Sequence, residues 1–201
     1  MITRQAAKYL RELASAFPIV AITGPRQSGK TTLARMAFAK KPYVSFENPD
    51  VLWTATQDPR AFLARYQEGA IFDEAQRFPD LFSYLQQIVD EDRRPGRFVL
   101  TGSQQFGLHA RIAQSLAGRA GLLQLLPFLL SEAYGAKVAA LPSLNQALFS
   151  GFYPVIHSDK VSPRLWYGQY VQTYVERDVR QLINVRDLAT FQRFVGLWSW
   201  N

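Results

Sequence analysis

The chain of 201 residues contains no cysteine and only two histidines, His109 and His157. That excludes a cysteine nucleophile, a disulfide framework and a zinc site built from His and Cys. Both histidines stand isolated and read as surface or ordinary packing residues. Long apolar runs are missing too. The longest, residues 122–130, is interrupted by Gln124 and Pro127 and is too short to cross a bilayer. Near the N-terminus Arg4, Lys8, Arg11 and Glu12 break any signal-like core. With neither thiols nor a targeting segment, the expectation is a cytoplasmic protein with no membrane partner. Charged residues, at 19%, are too few for a disordered chain, and 48% hydrophobic residues suffice for a packed core.

What is present is a phosphate-binding pattern. Gly24-Pro25-Arg26-Gln27-Ser28-Gly29-Lys30-Thr31 reads G-x-x-x-x-G-K-T, with Thr32 next, and follows the apolar run Pro18–Thr23. Such a loop needs a strand to aim it, glycines that let amides turn inward, and a helix start behind it. Leu33, Met36 and Ala37 recur at helical spacing, so a helix follows. Lys30 is expected to reach the β- and γ-phosphates, and the Thr31 hydroxyl to ligate Mg²⁺. Arg26 and Gln27 occupy the variable part of the loop, where Arg26 reads as solvated or carboxylate-paired rather than phosphate-bound.

A second apolar run, Ala70-Ile71-Phe72, ends in Asp73-Glu74. An Asp at a buried strand end holds Mg²⁺ through water in phosphate-loop proteins, and Glu74 then suits the role of general base for an attacking water. The competing reading has both carboxylates capping a helix over residues 79–89. A third strand, Phe98-Val99-Leu100, runs into Thr101-Gly102-Ser103-Gln104, a polar tip that either senses the γ-phosphate or merely ends the strand. Thr101 and Ser103 are the candidates. Arg119, ahead of Arg111, is the candidate to enter a neighbouring subunit's site and neutralise transition-state charge; otherwise it closes a helix end. No N-K-x-D and no D-x-x-G occurs, so guanine specificity and a Ras-like switch lack support.

These segments line up with a known family. The loop through Leu33, Asp58-Pro59, Phe72-Asp73-Glu74-Ala75-Gln76, Leu100-Thr101-Gly102-Ser103-Gln104-Gln105, Ser115-Leu116-Ala117-Gly118-Arg119, Leu126-Pro127-Phe128 and Tyr174-Val175-Glu176-Arg177-Asp178-Val179 follow one another in the family's order. Together the chain resembles the prokaryotic AAA-superfamily ATPases that carry a C-terminal domain of unknown function. The resemblance implies an AAA-type ATP-binding core, with Lys30, Thr31, Asp73 and Glu74 in the roles above, followed by a helical region. It adds interest to Ser103 and Arg119 without fixing their roles. Such relatives run longer, into a winged-helix-like region, so the end at Trp198-Ser199-Trp200-Asn201 implies a shortened member or a fragment.

The coarse order is a helix over 4–15, strand 19–23, loop and helix, strand 43–46, helix 58–66, strand 69–73, helix 79–91, strand 97–101, helix 105–116 and strand 122–126. Alternating strands and helices predict an α/β fold: a P-loop NTPase-type parallel sheet flanked by helices, with the ligand at the strands' carboxyl ends. Helices at 131–134, 143–150, 163–183 and 187–198 then predict an all-helical segment. The expected division is 1–128 for ATP binding and 129–201 for an incomplete helical domain. Residues 1–41 carry eight basic side chains against Glu12, while the remainder balances fifteen against fifteen. Part of that excess suits a triphosphate; a solvated face on the first helix explains the rest more simply than nucleic acid does. The leading expectation is an ATPase that binds ATP or ADP with Mg²⁺ and couples nucleotide state to its helical segment. A nucleic-acid-associated ATPase and a slow-turnover scaffold remain open, as does a homo-oligomer. A P-loop kinase is weaker, since no acceptor motif stands out.

Overall fold

In the computed structural model, residues 2–103, 111–135, 141–175 and 193 are described. The chain forms two compact units. One comprises Met1–Leu141 with Phe152–Pro154, the other Pro142–Gly151 with Val155–Asn201.

The first unit is built on a parallel sheet. Its strands are β1 (Ile19–Thr23), β2 (Tyr43–Ser45), β3 (Ile71–Asp73), β4 (Phe98–Thr101) and β5 (Ala120–Gln124), in the spatial order β2-β3-β4-β1-β5. Helices α1 (Ala6–Ala16), α2 (Lys30–Ala37), α3 (Pro49–Gln57), α4 (Pro59–Ala64) and α5 (Leu81–Glu91) cover it. Period-two alternation divides the strand side chains between the faces. Ile19, Ala21, Phe72, Phe98 and Leu100 join one core with Phe46, Phe62, Phe78, Leu81 and Leu85. Val20, Ile22, Ile71, Val99, Leu123 and Leu125 join the other with Leu10 and Leu13 of α1 and Leu33 and Ala34 of α2. Phe46, Phe72 and Phe98 run through the first core as a stacked series, with centroids 5.7 and 5.9 Å apart.

The same alternation positions polar groups. Asp73 lies two residues beyond Ile71, and Thr101 two beyond Val99, so both stand on the face that α2 covers. Because β4 lies between β1 and β3, the Thr101 end of β4 separates the loop after β1 from Asp73.

Several boundaries differ from the sequence expectation. Helix α3 was not expected, although Asn48 caps it by accepting from the Asp50 amide at 2.9 Å and Pro49 opens it. Only Ala55 of α3 is buried and Trp53 is exposed, so no apolar stripe advertised it. Strand β5 runs over Ala120–Gln124 rather than 122–126, since its pairing begins with Ala120 opposite Ile19. Helix α5 begins at Leu81 after Asp80, so Asp73-Glu74 does not cap it. Helical turns occur at Leu130–Tyr134. Of the helix expected over 105–116, residues 111–115 are helical and 104–110 lie outside the described residues.

In the second unit, the helix Leu144–Ser150 is capped by the Ser143 hydroxyl, which accepts from the Gln146 amide at 3.3 Å. The helix Pro163–Tyr170 continues as a π-helical turn at Val171–Val175, with Trp166 buried and stacked on Tyr170 at 4.7 Å. The rest of the expected 163–183 helix and the helix at 187–198 lie outside the described residues, Arg193 apart. Among the described residues no helix is long and apolar enough to cross a membrane.

Candidate functional site

The loop between β1 and α2 wraps inward as its glycines allow. Gly24 has φ 141°, and a Cβ there would stand 2.2 Å from the Leu125 carbonyl oxygen, so the close approach of two backbones requires glycine. Gln27 and Gly29 also take positive φ, at 59° and 92°. The first α-helical hydrogen bond of α2 runs from the Leu33 amide to the Gly29 carbonyl at 2.9 Å. The amides of Lys30, Thr31 and Thr32 precede it at the positive end of the helix dipole, the arrangement that holds a phosphate.

Lys30 lies over this loop. Its ammonium donates to the Gly24 carbonyl at 3.1 Å and the Pro25 carbonyl at 2.7 Å. The side chain is buried, which pushes the pKa of Lys30 down to about 8; Glu74 and Asp73 oppose that shift and Arg26 adds to it. Of the other loop residues, Ser28 is fully buried, Pro25 and Arg26 are half-buried, and Gln27 and Thr32 are exposed.

Asp73 is where the elements converge. Its Oδ1 accepts from the Thr31 hydroxyl at 2.8 Å and from the Thr101 hydroxyl, and its Oδ2 accepts from the Tyr43 hydroxyl at 2.7 Å. Burial and the Asp73 hydrogen bond together push the Tyr43 phenol up to about 12. Glu74, directly after β3, adopts a left-handed backbone with φ 53°. That turn sends its carboxylate to Gln76, whose side-chain amide donates to Glu74 Oε2, while the Ser103 hydroxyl donates to the same oxygen at 3.3 Å. The loop, Lys30, Thr31, Asp73, Glu74, Thr101 and Ser103 therefore share the carboxyl edge of the sheet.

This donor set fits a magnesium nucleotide. A hydroxyl and a carboxylate in direct contact supply the hard oxygen ligands Mg²⁺ takes, beside a cationic loop with helix-terminal amides. Thr31 and Asp73 would hold the metal there, and the loop amides with Lys30 the phosphates. Among the described residues no cluster of His, Cys, Asp and Glu forms a metal site by protein ligands alone.

Arg119 stands elsewhere. Its carbonyl accepts from the Ile19 amide at 3.2 Å, at the amino end of β1 and β5 and across the sheet from the loop. There its guanidinium forms a bidentate pair with Asp90, at 2.6 and 2.7 Å, and holds that carboxyl below its ordinary range. A cavity of about 310 Å³ lined by Arg60, Tyr66, Tyr84, Arg97 and Phe98 is also remote from the loop and contains none of the residues above.

Sequence reading missed Arg4, Tyr43 and Gln76. Arg4 was expected on a solvated helix face, yet its side chain is 8% exposed. It donates to the Ser28 carbonyl at 2.8 Å, to the Leu126 carbonyl at 2.6 Å and to the Pro127 carbonyl at 3.2 Å. Its Nε stands 3.1 Å from the Glu132 carboxylate, and its guanidinium lies 4.9 Å from the centre of the Phe128 ring. Arg4 lies just before α1, and its partners come from the loop and from the far end of the unit, which no local pattern announces. Tyr43 could have been found from a hydroxyl on the strand that flanks β3.

Comparisons with known proteins bear on the family and the fold. A family model described as an AAA domain matches residues 16–134, and one described as a domain of unknown function matches residues 141–199. The uncharacterized proteins Rv2008c of Mycobacterium tuberculosis and Mb2031c of Mycobacterium bovis are each 37% identical over 192 residues, 94% of this chain. The chain spans 42% of the length of each of these curated relatives. Among solved structures, the Walker-type ATPase PABY2304 of Pyrococcus abyssi is similar with a TM-score of 0.53 and 16% identity, covering 98% of this chain and 75% of that one. AMPPCP-bound DnaA from Aquifex aeolicus is similar with a TM-score of 0.52 and 15% identity, covering 90% and 67%. At these identities the likeness concerns the fold.

Proposed function

The chain belongs to the AAA-domain family of P-loop ATPases, and from that premise we propose that it binds ATP with Mg²⁺ and hydrolyses it to ADP and phosphate. The observation that carries this reading is the Thr31–Asp73 contact at 2.8 Å, made beside Lys30 and Glu74 on one sheet edge. The loop amides and Lys30 hold the triphosphate tail, and Lys30 leaves the loop carbonyls to do so. Thr31 and Asp73 would hold Mg²⁺, which would supply charge neutralisation at the phosphates. Glu74 takes a proton from a water whose oxygen forms a bond to the γ-phosphorus. The bond from that phosphorus to the bridging oxygen breaks, and ADP departs. Ser103, bound to Glu74, is suited to report the γ-phosphate to it. Loss of γ-phosphate contacts then changes a partner or the helical segment, in the manner of nucleotide switches generally.

Titration calorimetry and phosphate release test this together. Lys30→Ala should abolish magnesium-dependent ATP binding, and Glu74→Gln should keep binding while losing turnover. Intact turnover in Glu74→Gln would remove Glu74 as base, and tight ATP binding by Lys30→Ala would remove the phosphate site. Turnover stimulated by DNA or RNA with a steep salt dependence would instead support the nucleic-acid reading. That reading has fewer free charges behind it than the sequence suggested, because Arg4 and Lys30 are buried. Arg119 serves as a finger only on a neighbouring chain. Mixing Arg119→Ala with Glu74→Gln chains should restore some activity in that case, and an oligomer showing no rescue excludes it.

A further inference from the structure

Gln76 combines two features that belong together chemically. Its side-chain amide donates to Glu74 Oε2, and this fixes which end of the amide faces the carboxylate, because an amide oxygen turned toward a carboxylate would be repelled. Its other end, Oε1, is then buried without a hydrogen-bond partner among the described residues. A buried amide carbonyl left unpaired costs about 1–3 kcal/mol, so native structures rarely keep one except where a ligand or water completes it. Here the orphan acceptor belongs to the residue that grips Glu74. The left-handed turn at Glu74, and the short 3₁₀ segment Ala75–Arg77 after it, bring residue 76 back alongside residue 74.

We propose that Gln76 positions both the base and its water: the amide N–H holds the Glu74 carboxylate, and the amide oxygen, closed to solvent until the site opens to take the nucleotide, then accepts a hydrogen of the water that Glu74 deprotonates. A water oriented through one hydrogen toward Gln76 and the other toward Glu74 presents its lone pair outward for attack. Ser103, the second donor to Glu74 Oε2, supports the carboxylate from β4's side and leaves the amide oxygen of Gln76 to the water. This assignment rests on the hydrolase reading above, since only hydrolysis requires an oriented water.

The experiment compares the unmodified chain with Gln76→Leu, which removes both functions at similar size, and Gln76→Glu, which keeps an acceptor but removes the donor. Steady-state ATP hydrolysis, ATP affinity by calorimetry and thermal melting are measured on each. The expected result is a kcat lower by about tenfold or more in both variants, since oriented proton transfer contributes roughly a hundredfold or more. KM and ATP affinity should stay within about twofold, because Gln76 touches the water and not the phosphates. Turnover within about twofold of the unmodified chain in both variants overturns the assignment. So does a loss of ATP affinity equal to the loss of kcat, which would mark Gln76 as structural. An unmodified chain that binds ATP but releases no phosphate removes the hydrolase reading and this assignment together. A turning-over chain with indifferent Gln76 variants removes the assignment alone.

Discussion

Replacing Arg4 by methionine should damage this protein out of proportion to its place four residues from the N-terminus. Methionine keeps most of the stem's volume and removes the guanidinium, leaving three backbone carbonyls without their donor and a Glu132 side chain, 3% exposed, without its cation. Removing one member of a buried ion pair costs about 3–5 kcal/mol, whereas an exposed pair is worth about 0–1 kcal/mol. Glu132 retains two backbone donors, the Gln5 amide at 2.6 Å and the Leu129 amide at 2.9 Å, which favours the low end, about 3 kcal/mol. Burial already lowers the pKa of Arg4 against the pull of Glu132, so the pair costs desolvation to assemble, and this also argues against the upper figure. For a chain of this length, about 3 kcal/mol corresponds to a melting temperature lower by roughly 6–12 °C.

Thermal and urea unfolding followed by circular dichroism measure the effect. A double variant, Arg4→Met with Glu132→Gln, should lose less than the sum of the two single losses, because the uncompensated carboxylate is then gone. ATP affinity offers an independent reading, since Arg4 holds the carbonyl of Ser28 inside the phosphate loop and its removal should loosen that loop. An Arg4→Met chain whose stability lies within about 1 kcal/mol of the parent would refute the reasoning, because the network would then be worth no more than a surface pair.

Three further outcomes follow from the loop itself. Without nucleotide, Lys30 titrates at about 8 rather than its ordinary 10.5, so the folded chain binds fewer protons than the unfolded one between those values and its stability should rise with pH through that window. Phosphate binding needs the ammonium, so ATP affinity by calorimetry should fall as pH rises from about 7 to 9, with proton uptake on binding at the upper end; a flat profile contradicts the buried placement of Lys30. Gly24→Ala should cost about 2 kcal/mol or more and abolish ATP binding, because its Cβ would meet the Leu125 carbonyl oxygen at 2.2 Å in a backbone conformation alanine rarely adopts. An unchanged melting temperature with normal ATP binding would show that the loop can open away from β5.

The parts of the site legible in sequence are those set by local rules. The loop is recognisable because its chemistry demands glycines, a lysine and a hydroxyl at fixed offsets along one turn. Asp73 stands out because helix capping would explain a carboxylate there but not the apolar strand that precedes it. Alternation within β1, β3 and β4 then carries Asp73 and Thr101 to the face covered by α2, a consequence of period two alone. The α/β fold and its parallel sheet were legible for the same reason. The strand order was not, since β4 lies between β1 and β3 through crossovers whose geometry no window of sequence contains.

Residues missed by sequence reading act through partners distant along the chain or through backbone turns. Arg4 reaches Leu126 across 122 positions, and an arginine just ahead of an amphipathic helix looks the same whether it meets solvent or three backbone carbonyls. Gln76 is close to Glu74, but only the left-handed turn at residue 74 makes i and i+2 face each other, and glutamate gives little warning of positive φ. Arg119 shows the opposite case: its identity suggested chemistry, while its position at the amino edge, paired with Asp90, separates it from the loop within one chain. A residue type therefore indicates what chemistry is available, and the edge of the sheet on which it falls decides whether a single chain can use it. That is why Arg119 bears on hydrolysis only if two chains meet, whereas Lys30, Asp73 and Glu74 need no partner to face one another.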